Sequence, residues 1–319
     1  MSTSSFTDPG TRIPAGEAAA YGPVGRSRWL DVDWREHQRW RVVDGQVVNT
    51  IELGAEKADA VQTLVFVHGL SGCWANWLEQ LPDLADDHRV VALDMPGFGA
   101  SPMPDGEVSI SRYARLLDSL LGQMDVDAAA VVGNSMGGFI AAELAIAFPQ
   151  RVERLVLISA AGITTHAHPG TMRVVPAMRR AERIIAMGGA WAASRSDHVA
   201  RRARLREAAL YVVVRHPSRL PAALAAEQIR GAGKPGFMQA LEATIGYAVR
   251  ERLPEIACPT LIVWGDGDRL IPVRDADVFA ELIPDSRKVI FEDTGHMAML
   301  ERPAAFNALL RDFLADRIR

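Results

Sequence analysis

Gly133-Asn134-Ser135-Met136-Gly137-Gly138 is the stretch on which the fold turns. It has the pattern Gly-x-Ser-x-Gly. The apolar run Ala129-Ala130-Val131-Val132 precedes it, and a helical pattern over 136–148, ended by Pro149, follows it. A serine set in a tight strand-to-helix turn projects its hydroxyl clear of the backbone. Small residues at Gly133 and Gly137 let the two arms of such a turn approach each other. The helix N-terminus favours negative charge developing beside it. Outside this context the pattern is a common glycine turn. Within it, Ser135 is the candidate nucleophile.

Outward from this turn the chain alternates short apolar runs with helical patterns. Leu64 to Val67, Val90 to Leu93, Ala129 to Val132 and Leu155 to Ile158 are unalternating runs. Such runs suit strands buried on both faces of a parallel sheet. Ahead of them, Arg39 to Val43, Asp44-Gly45 and Val47 to Leu53 read as a β-hairpin, because Asp-Gly supplies the positive φ angles of a tight primed turn. Ser109 to Met124 carries Ile110, Tyr113, Leu116, Leu117 and Leu120 at helical spacing. The alternation predicts an α/β fold: a mostly parallel, doubly wound sheet with right-handed crossovers.

The rhythm breaks after Ile158. Residues 163–255 show helical patterns and one β-rich run, Tyr211 to Val214. Thr260 to Trp264 and Arg287 to Phe291 then resume the sheet, and Pro303 to Ile318 reads as a closing helix. The expected organisation is a leader at 1–28, a core at 29–162 and 256–319, and an inserted helical cap at 163–255. The cap carries net charge +8, so the rest of the chain carries −12. Arginine-rich helix faces are usually solvated surface. The sharper reading is attraction for an anionic substrate.

The length of 319 residues suits one large domain with an insertion, and 49% hydrophobic content suffices for a sizeable core. A net charge of −4 argues against a nucleic-acid binder. No apolar run is long enough to span a bilayer. The two cysteines, Cys73 and Cys258, form neither a disulfide framework nor a zinc site, and a reducing, cytoplasmic location is the simplest reading. Residues 1–25, rich in Ser, Thr, Gly, Ala and Pro, lack the features of a secretory signal and read as a flexible leader packing loosely on the surface.

A nucleophilic serine needs a base, and the base an orienting acid. Trp264-Gly265-Asp266-Gly267-Asp268 follows one late strand run, and Thr294-Gly295-His296 follows the last. The order Ser, Asp, His is the one this type of sheet enzyme uses. His296 is the candidate base, and both Asp266 and Asp268 compete for the acid role.

The chain resembles an α/β-hydrolase fold enzyme with a helical cap, in the esterase and lipase-like branch. The resemblance rests on His68-Gly69-Leu70, Asp94-Met95-Pro96-Gly97-Phe98-Gly99-Ala100-Ser101, the Ser135 turn, Trp264 through Pro272, Gly295-His296 and Glu301-Arg302-Pro303. It covers roughly 40–318, the cap only in position and helical character. The family pattern Trp-Gly-x-x-Asp falls on Asp268, leaving Asp266 as a turn residue. The resemblance implies oxyanion donors at the backbone N–H groups of Leu70 and Met136, and structural loop roles for His68 and for 94–101. An aspartate nucleophile, as in dehalogenases and epoxide hydrolases, would occupy the place of Ser135. Cys73 reads as a small residue lining the pocket. His166, His168, His198 and His216 bring no accompanying metal-ligand set.

The expected activity is cofactor-free and metal-free hydrolysis of a small carboxylic ester, by a protein that is a monomer or a homo-oligomer. Met178, Trp191, Tyr211, Phe237 and Met238 are candidates for lining the pocket or for cap core. The alternative is carbon–carbon bond hydrolysis of ring-cleavage dienoates, which Gly-Asn-Ser-Met-Gly-Gly also resembles. Those enzymes usually carry Trp after the histidine, where this chain has Met297. Thioesterase, lactonase, perhydrolase and acyltransferase chemistry use the same machinery. A triad-retaining ligand receptor is the non-enzymatic reading.

Overall fold

The computed structural model describes residues 10–15, 21–23, 25–54, 62–164 and 187–315. Nine strands form one sheet: β1 (Thr11–Ile13), β2 (Gln38–Val43), β3 (Gln46–Leu53), β4 (Thr63–Val67), β5 (Arg89–Leu93), β6 (Ala129–Asn134), β7 (Val152–Ile158), β8 (Thr260–Gly265) and β9 (Ser286–Phe291). Their spatial order is β1-β9-β8-β7-β6-β4-β5-β3-β2. The β2–β3 and β3–β5 pairs are antiparallel, and every other pair is parallel. The central strands β6 and β8 are buried along their whole length, as unalternating apolar runs require. The β2–β3 turn has Asp44 at φ 50° and Gly45 at φ 80°, the primed geometry that Asp-Gly supplies.

Helices cover both faces. α1 (Ile110–Gln123) starts at Ser109, whose side chain accepts the Arg112 N–H at 3.2 Å. Its apolar stripe of Ile110, Tyr113, Leu116, Leu117 and Leu120 lies buried. α2 (Met136–Ala147) is apolar but for Glu143 and buried through Ile146. In the insertion lie α3 (Ser196–Arg201), α4 (Ala203–Leu210), α5 (Ala222–Arg230) and α6 (Phe237–Gly246). α7 (Arg274–Leu282) and α8 (Pro303–Ala315) complete the core. Two apolar clusters sandwich the sheet, one containing Val131, Phe139 and Trp264, the other Phe66, Trp77 and Phe306.

Two expectations need correction. The stretch read as a loose leader supplies strand β1, which pairs in parallel with β9 through Thr11–Val289, Arg12–Ile290 and Ile13–Phe291. The same stretch buries Tyr21. The open edge of β9 accounts for this, since it offers backbone partners that a polar segment can satisfy without an apolar run of its own. The β-rich run Tyr211 to Val214 is not a strand. It is a turn in which the N–H groups of Val213 and Val214 both bond the Leu210 carbonyl, at 3.0 and 2.9 Å.

The described cap docks onto the loops that follow the strands. The Gly236 N–H donates to the Gly97 carbonyl at 3.0 Å, and a Cβ on Gly97 would lie 2.9 Å from Gly236 Cα. Gln228 of α5 accepts from Asn76 Nδ2 at 2.5 Å and donates to the Ala75 carbonyl at 3.0 Å.

Candidate active site

Ser135 occupies the single-residue turn between β6 and α2, with φ 56° and ψ −118°. A non-glycine residue there costs about 1–3 kcal/mol, so the surroundings must enforce it. They do so through the backbone. The Ser135 N–H donates to Ile158 O at 2.9 Å, while its carbonyl accepts from Phe139 and Ala161, each at 3.1 Å. The glycines are forced by contact. A Cβ on Gly133 would lie 2.3 Å from Gly137 O, and one on Gly137 would lie 2.1 Å from Val67 O.

His296 lies 2% exposed on the loop after β9, and its Nδ1 is 2.8 Å from Asp268 Oδ2. The other Asp268 oxygen accepts the N–H groups of Leu270 and Ile271, at 2.8 and 2.9 Å. Asp268 is therefore an acceptor on both oxygens, with a fully buried side chain. Asp266 points to the surface instead, in an ion pair with Arg12 at 3.3 Å. Of the two competing aspartates, only Asp268 meets the histidine.

The Nε2 of His296 is buried and has no hydrogen-bond partner among the described residues. The Ser135 hydroxyl therefore makes no bond to it in this state, and such contacts commonly tighten only when substrate binds. The two loops are nevertheless tied together. Asn134 Nδ2 donates to His296 O at 3.2 Å and to Ile158 O at 3.1 Å.

Met136 directly follows Ser135 in sequence, and Leu70 follows a glycine packed against it. Met136 opens α2, where first-turn N–H groups have no intrahelical acceptor. Leu70 follows Gly69, on which a Cβ would be 3.0 Å from Ser135 Cβ. The turn is closed by Gly72 N–H donating to Gly69 O at 2.9 Å. His68 is fully buried. Its Nδ1 lies 2.7 Å from Gly69 O, and its Nε2 accepts the Met95 N–H at 3.0 Å. These partners fix a neutral ring that joins the two loops, and burial pushes its pKa down. Asp94 accepts from Trp74 N, Asn49 Nδ2 and Ala100 N at 2.8, 2.9 and 2.7 Å, which fixes the loop after β5. The Cys73 thiol is pushed up to about 12, by burial first and then by the Asp94 charge, so it remains protonated near neutrality.

In the cap, Met178, His166 and His168 lie outside the described residues. Trp191 and Tyr211, expected to line the pocket or fill the cap core, are 54% and 51% exposed. Each is covered by a guanidinium instead: Arg195 lies 5.8 Å from the Trp191 ring and Arg269 lies 4.0 Å from the Tyr211 ring. Met238 is buried and Phe237 half-buried. His198 lies 2.6 Å from the Arg202 guanidinium and His216 lies 2.8 Å from Asp293. Of the described cap arginines, Arg195, Arg201, Arg202, Arg204, Arg219, Arg230 and Arg250 are exposed. Arg206 is buried but bonded to the carbonyls of Ala200, Pro217 and Ser218.

Two features of the site had only weak signals in the sequence. Asn134 is the variable position of Gly-x-Ser-x-Gly, and only its place between strand and serine marks it. Glu301 is visible only as part of Glu301-Arg302-Pro303, yet its carboxylate accepts the N–H groups on both sides of His296, from Gly295 at 3.0 Å and Met297 at 3.3 Å.

Comparison with known proteins agrees with this fold. The family described as alpha/beta hydrolase fold matches residues 62–303. The 2-hydroxy-6-oxo-2,4-heptadienoate hydrolase of Pseudomonas putida is 30% identical over 287 residues, covering 83% of this chain and 93% of that protein. The dihydrolipoyllysine-residue acetyltransferase component of the acetoin cleaving system of Cupriavidus necator is 31% identical over 269 residues, or 82% of this chain. This chain spans 65% of the length of that longer relative. Among solved structures, a thermophilic esterase from Thermogutta terrifontis superposes with a TM-score of 0.71 at 22% identity, covering 87% of this chain and 97% of that one. No described helix is long and apolar enough to cross a membrane. Sheet order and family match agree, and the chain belongs to the α/β-hydrolase fold family.

Proposed function

We propose that the protein is a serine hydrolase that cleaves a small carboxylic ester through Ser135, His296 and Asp268. The observation that carries this is the division of the buried His296 ring: Nδ1 is tied to Asp268, while Nε2 is left without a partner among the described residues. A ring so arranged is a base with its tautomer set and its accepting nitrogen available.

In this reading His296 Nε2 takes the Ser135 hydroxyl proton as Oγ attacks the acyl carbon. The carbonyl oxygen becomes an oxyanion, met by the N–H groups of Leu70 and Met136. One such donor is worth roughly 3–4 kcal/mol of transition-state stabilisation. His296 then passes its proton to the departing alcohol, leaving an acyl-Ser135 ester. Water attacks that ester after giving a proton to Nε2. Collapse releases the acid as Nε2 returns that proton to Ser135 Oγ, restoring both the serine and the base. Asp268 remains ionised and stabilises the imidazolium. This chemistry calls on no cofactor or metal.

Carbon–carbon hydrolysis of a dienoate is the second reading, favoured by the 30% identity to the heptadienoate hydrolase. Against it stand Met297 after the histidine and the described cap arginines, which face solvent or are committed to partners. The test is turnover of a p-nitrophenyl ester series, acetate to palmitate, beside one ring-cleavage dienoate, by wild type and Ser135→Ala. Ester turnover that disappears in the variant supports the proposal. Dienoate cleavage with poor ester turnover transfers it to the second reading. Binding without turnover of either marks a receptor.

A further inference from the structure

The Glu301 side chain is fully buried, and among the described residues no cationic side chain pairs with it. It is surrounded by donors. Besides Gly295 and Met297, the Arg215 N–H reaches Oε2 at 2.8 Å and the Tyr21 hydroxyl reaches Oε2 at 2.5 Å. Tyr21 in turn accepts the His216 N–H at 2.9 Å. With that N–H on its oxygen, and with burial first and the Glu301 charge second raising its pKa, the phenol keeps its proton and donates it to the carboxylate. Burial pushes the Glu301 pKa up, and the four N–H and O–H groups converging on its oxygens, which have only acceptor sites when ionised, oppose that and favour the carboxylate.

Three separate segments meet at this one group. Tyr21 comes from the N-terminal stretch, whose Gly22 N–H also donates to the Glu301 carbonyl at 2.6 Å. Arg215 and His216 come from the cap. Gly295 and Met297 bracket His296. The approach is close enough to demand glycine: a Cβ on Gly295 would lie 2.7 Å from Arg215 N and 2.8 Å from Glu301 Oε1. Burying an unpaired carboxylate is costly, and a well-packed apolar residue would stabilise the fold at least as well. What the carboxylate provides instead is a fixed direction for the peptide groups on either side of His296.

We propose that Glu301 and Tyr21 are positioning residues for His296, through which the N-terminal segment and the 210–219 stretch of the cap set the placement of the catalytic loop. This rests on the reading of His296 as the base. It predicts that removing a hydroxyl remote from the nucleophile lowers the chemical step rather than substrate affinity.

The test uses full-length Tyr21→Phe, Glu301→Gln, the double variant and Ser135→Ala, with p-nitrophenyl butyrate as substrate. Phe keeps the ring contacts of Tyr21, so this variant remains informative even if Glu301→Gln fails to fold. The expected result for Tyr21→Phe is a fall in kcat of about tenfold, with KM within about twofold, since small misplacements of catalytic groups cost up to about a hundredfold. The double variant should be no worse than Glu301→Gln alone, because both act through one group. A lowered melting temperature with unchanged kcat, or a loss confined to KM, would overturn the proposal. If Ser135→Ala is inactive while Tyr21→Phe matches wild type, this proposal alone fails. If Ser135→Ala stays active, the reading of the site itself fails.

Discussion

Asn134 and His296 are joined across 162 residues by one hydrogen bond, from the Asn134 amide to the His296 carbonyl at 3.2 Å. The same amide bonds the Ile158 carbonyl at 3.1 Å, so one side chain links the Ser135 turn, the end of β7 and the His296 loop. Replacing it leaves the His296 carbonyl without this donor, at about 1–3 kcal/mol, while Ile158 O keeps the Ser135 N–H. Asn134→Ala should therefore remain folded, melt several degrees lower and lose roughly tenfold or more in kcat. Steady-state kinetics beside a thermal melt would check this. Unchanged kcat would mean that the loops hold their relative position without the tie.

The two aspartates after β8 should separate cleanly. Asp268→Asn substitutes an amide for an acceptor that takes the histidine N–H and two backbone N–H groups. Its kcat should fall by about four orders of magnitude, because the wrong histidine tautomer is favoured. Asp266→Asn disturbs a surface pair with Arg12 and should stay within about twofold of wild type. Comparing kcat for the two variants decides the acid, and the reverse ranking would exchange their roles.

The turn at Ser135 should not tolerate a methyl group. Gly137→Ala would set a Cβ 2.1 Å from Val67 O and 2.6 Å from His68 O, both backbone atoms of the central sheet and its loop. Relief requires moving β4 or α2, at about 3 kcal/mol or more. The expected drop in melting temperature is roughly 6 °C or more. A variant melting with wild type would show that the turn has room the contacts deny it.

Much of this architecture was legible in the sequence because parallel strands buried on both faces have no alternative but continuous apolar runs. Val131, Leu157 and Val263 sit in such runs, and all three are fully buried in the sheet. The strand-to-helix turn at Ser135 was legible because its glycines answer to backbone contacts within one motif. β1 was not, since Thr11-Arg12-Ile13 has no apolar signature and owes its conformation to the open edge of β9. Tyr211 to Val214 misled because β propensity needs a neighbouring strand, and the cap offers the run a helix end instead. Glu301 and Asn134 were hidden for a related reason. Most of their partners are backbone groups, several of them from distant segments, and side-chain patterns carry no trace of those.

Acid stability should depend on Glu52. Burial alone would raise its pKa, but hydrogen bonds from Arg41 and Thr50 and the charges of Arg41 and Arg89 outweigh that and hold it below the usual carboxylate range. The folded chain thus keeps this group ionised at a pH where the unfolded chain binds a proton. Its stabilisation is present above the unfolded value of roughly 4.3 and is lost as pH falls through the lower folded value. The melting-temperature gap between wild type and Glu52→Gln should be widest above about pH 5 and narrow toward about pH 3. A gap independent of pH would show that the Arg41 contact acts through packing alone.

The most direct test of the central claim is the site of covalent attachment after reaction with diethyl p-nitrophenyl phosphate, a phosphorus ester whose product cannot be turned over readily. The serine mechanism predicts one diethylphosphoryl group per chain, one equivalent of p-nitrophenol released, complete inactivation, and an adduct mapped by peptide mass to Ser135. An adduct at another residue, or full activity retained by a chain modified at Ser135, would contradict it.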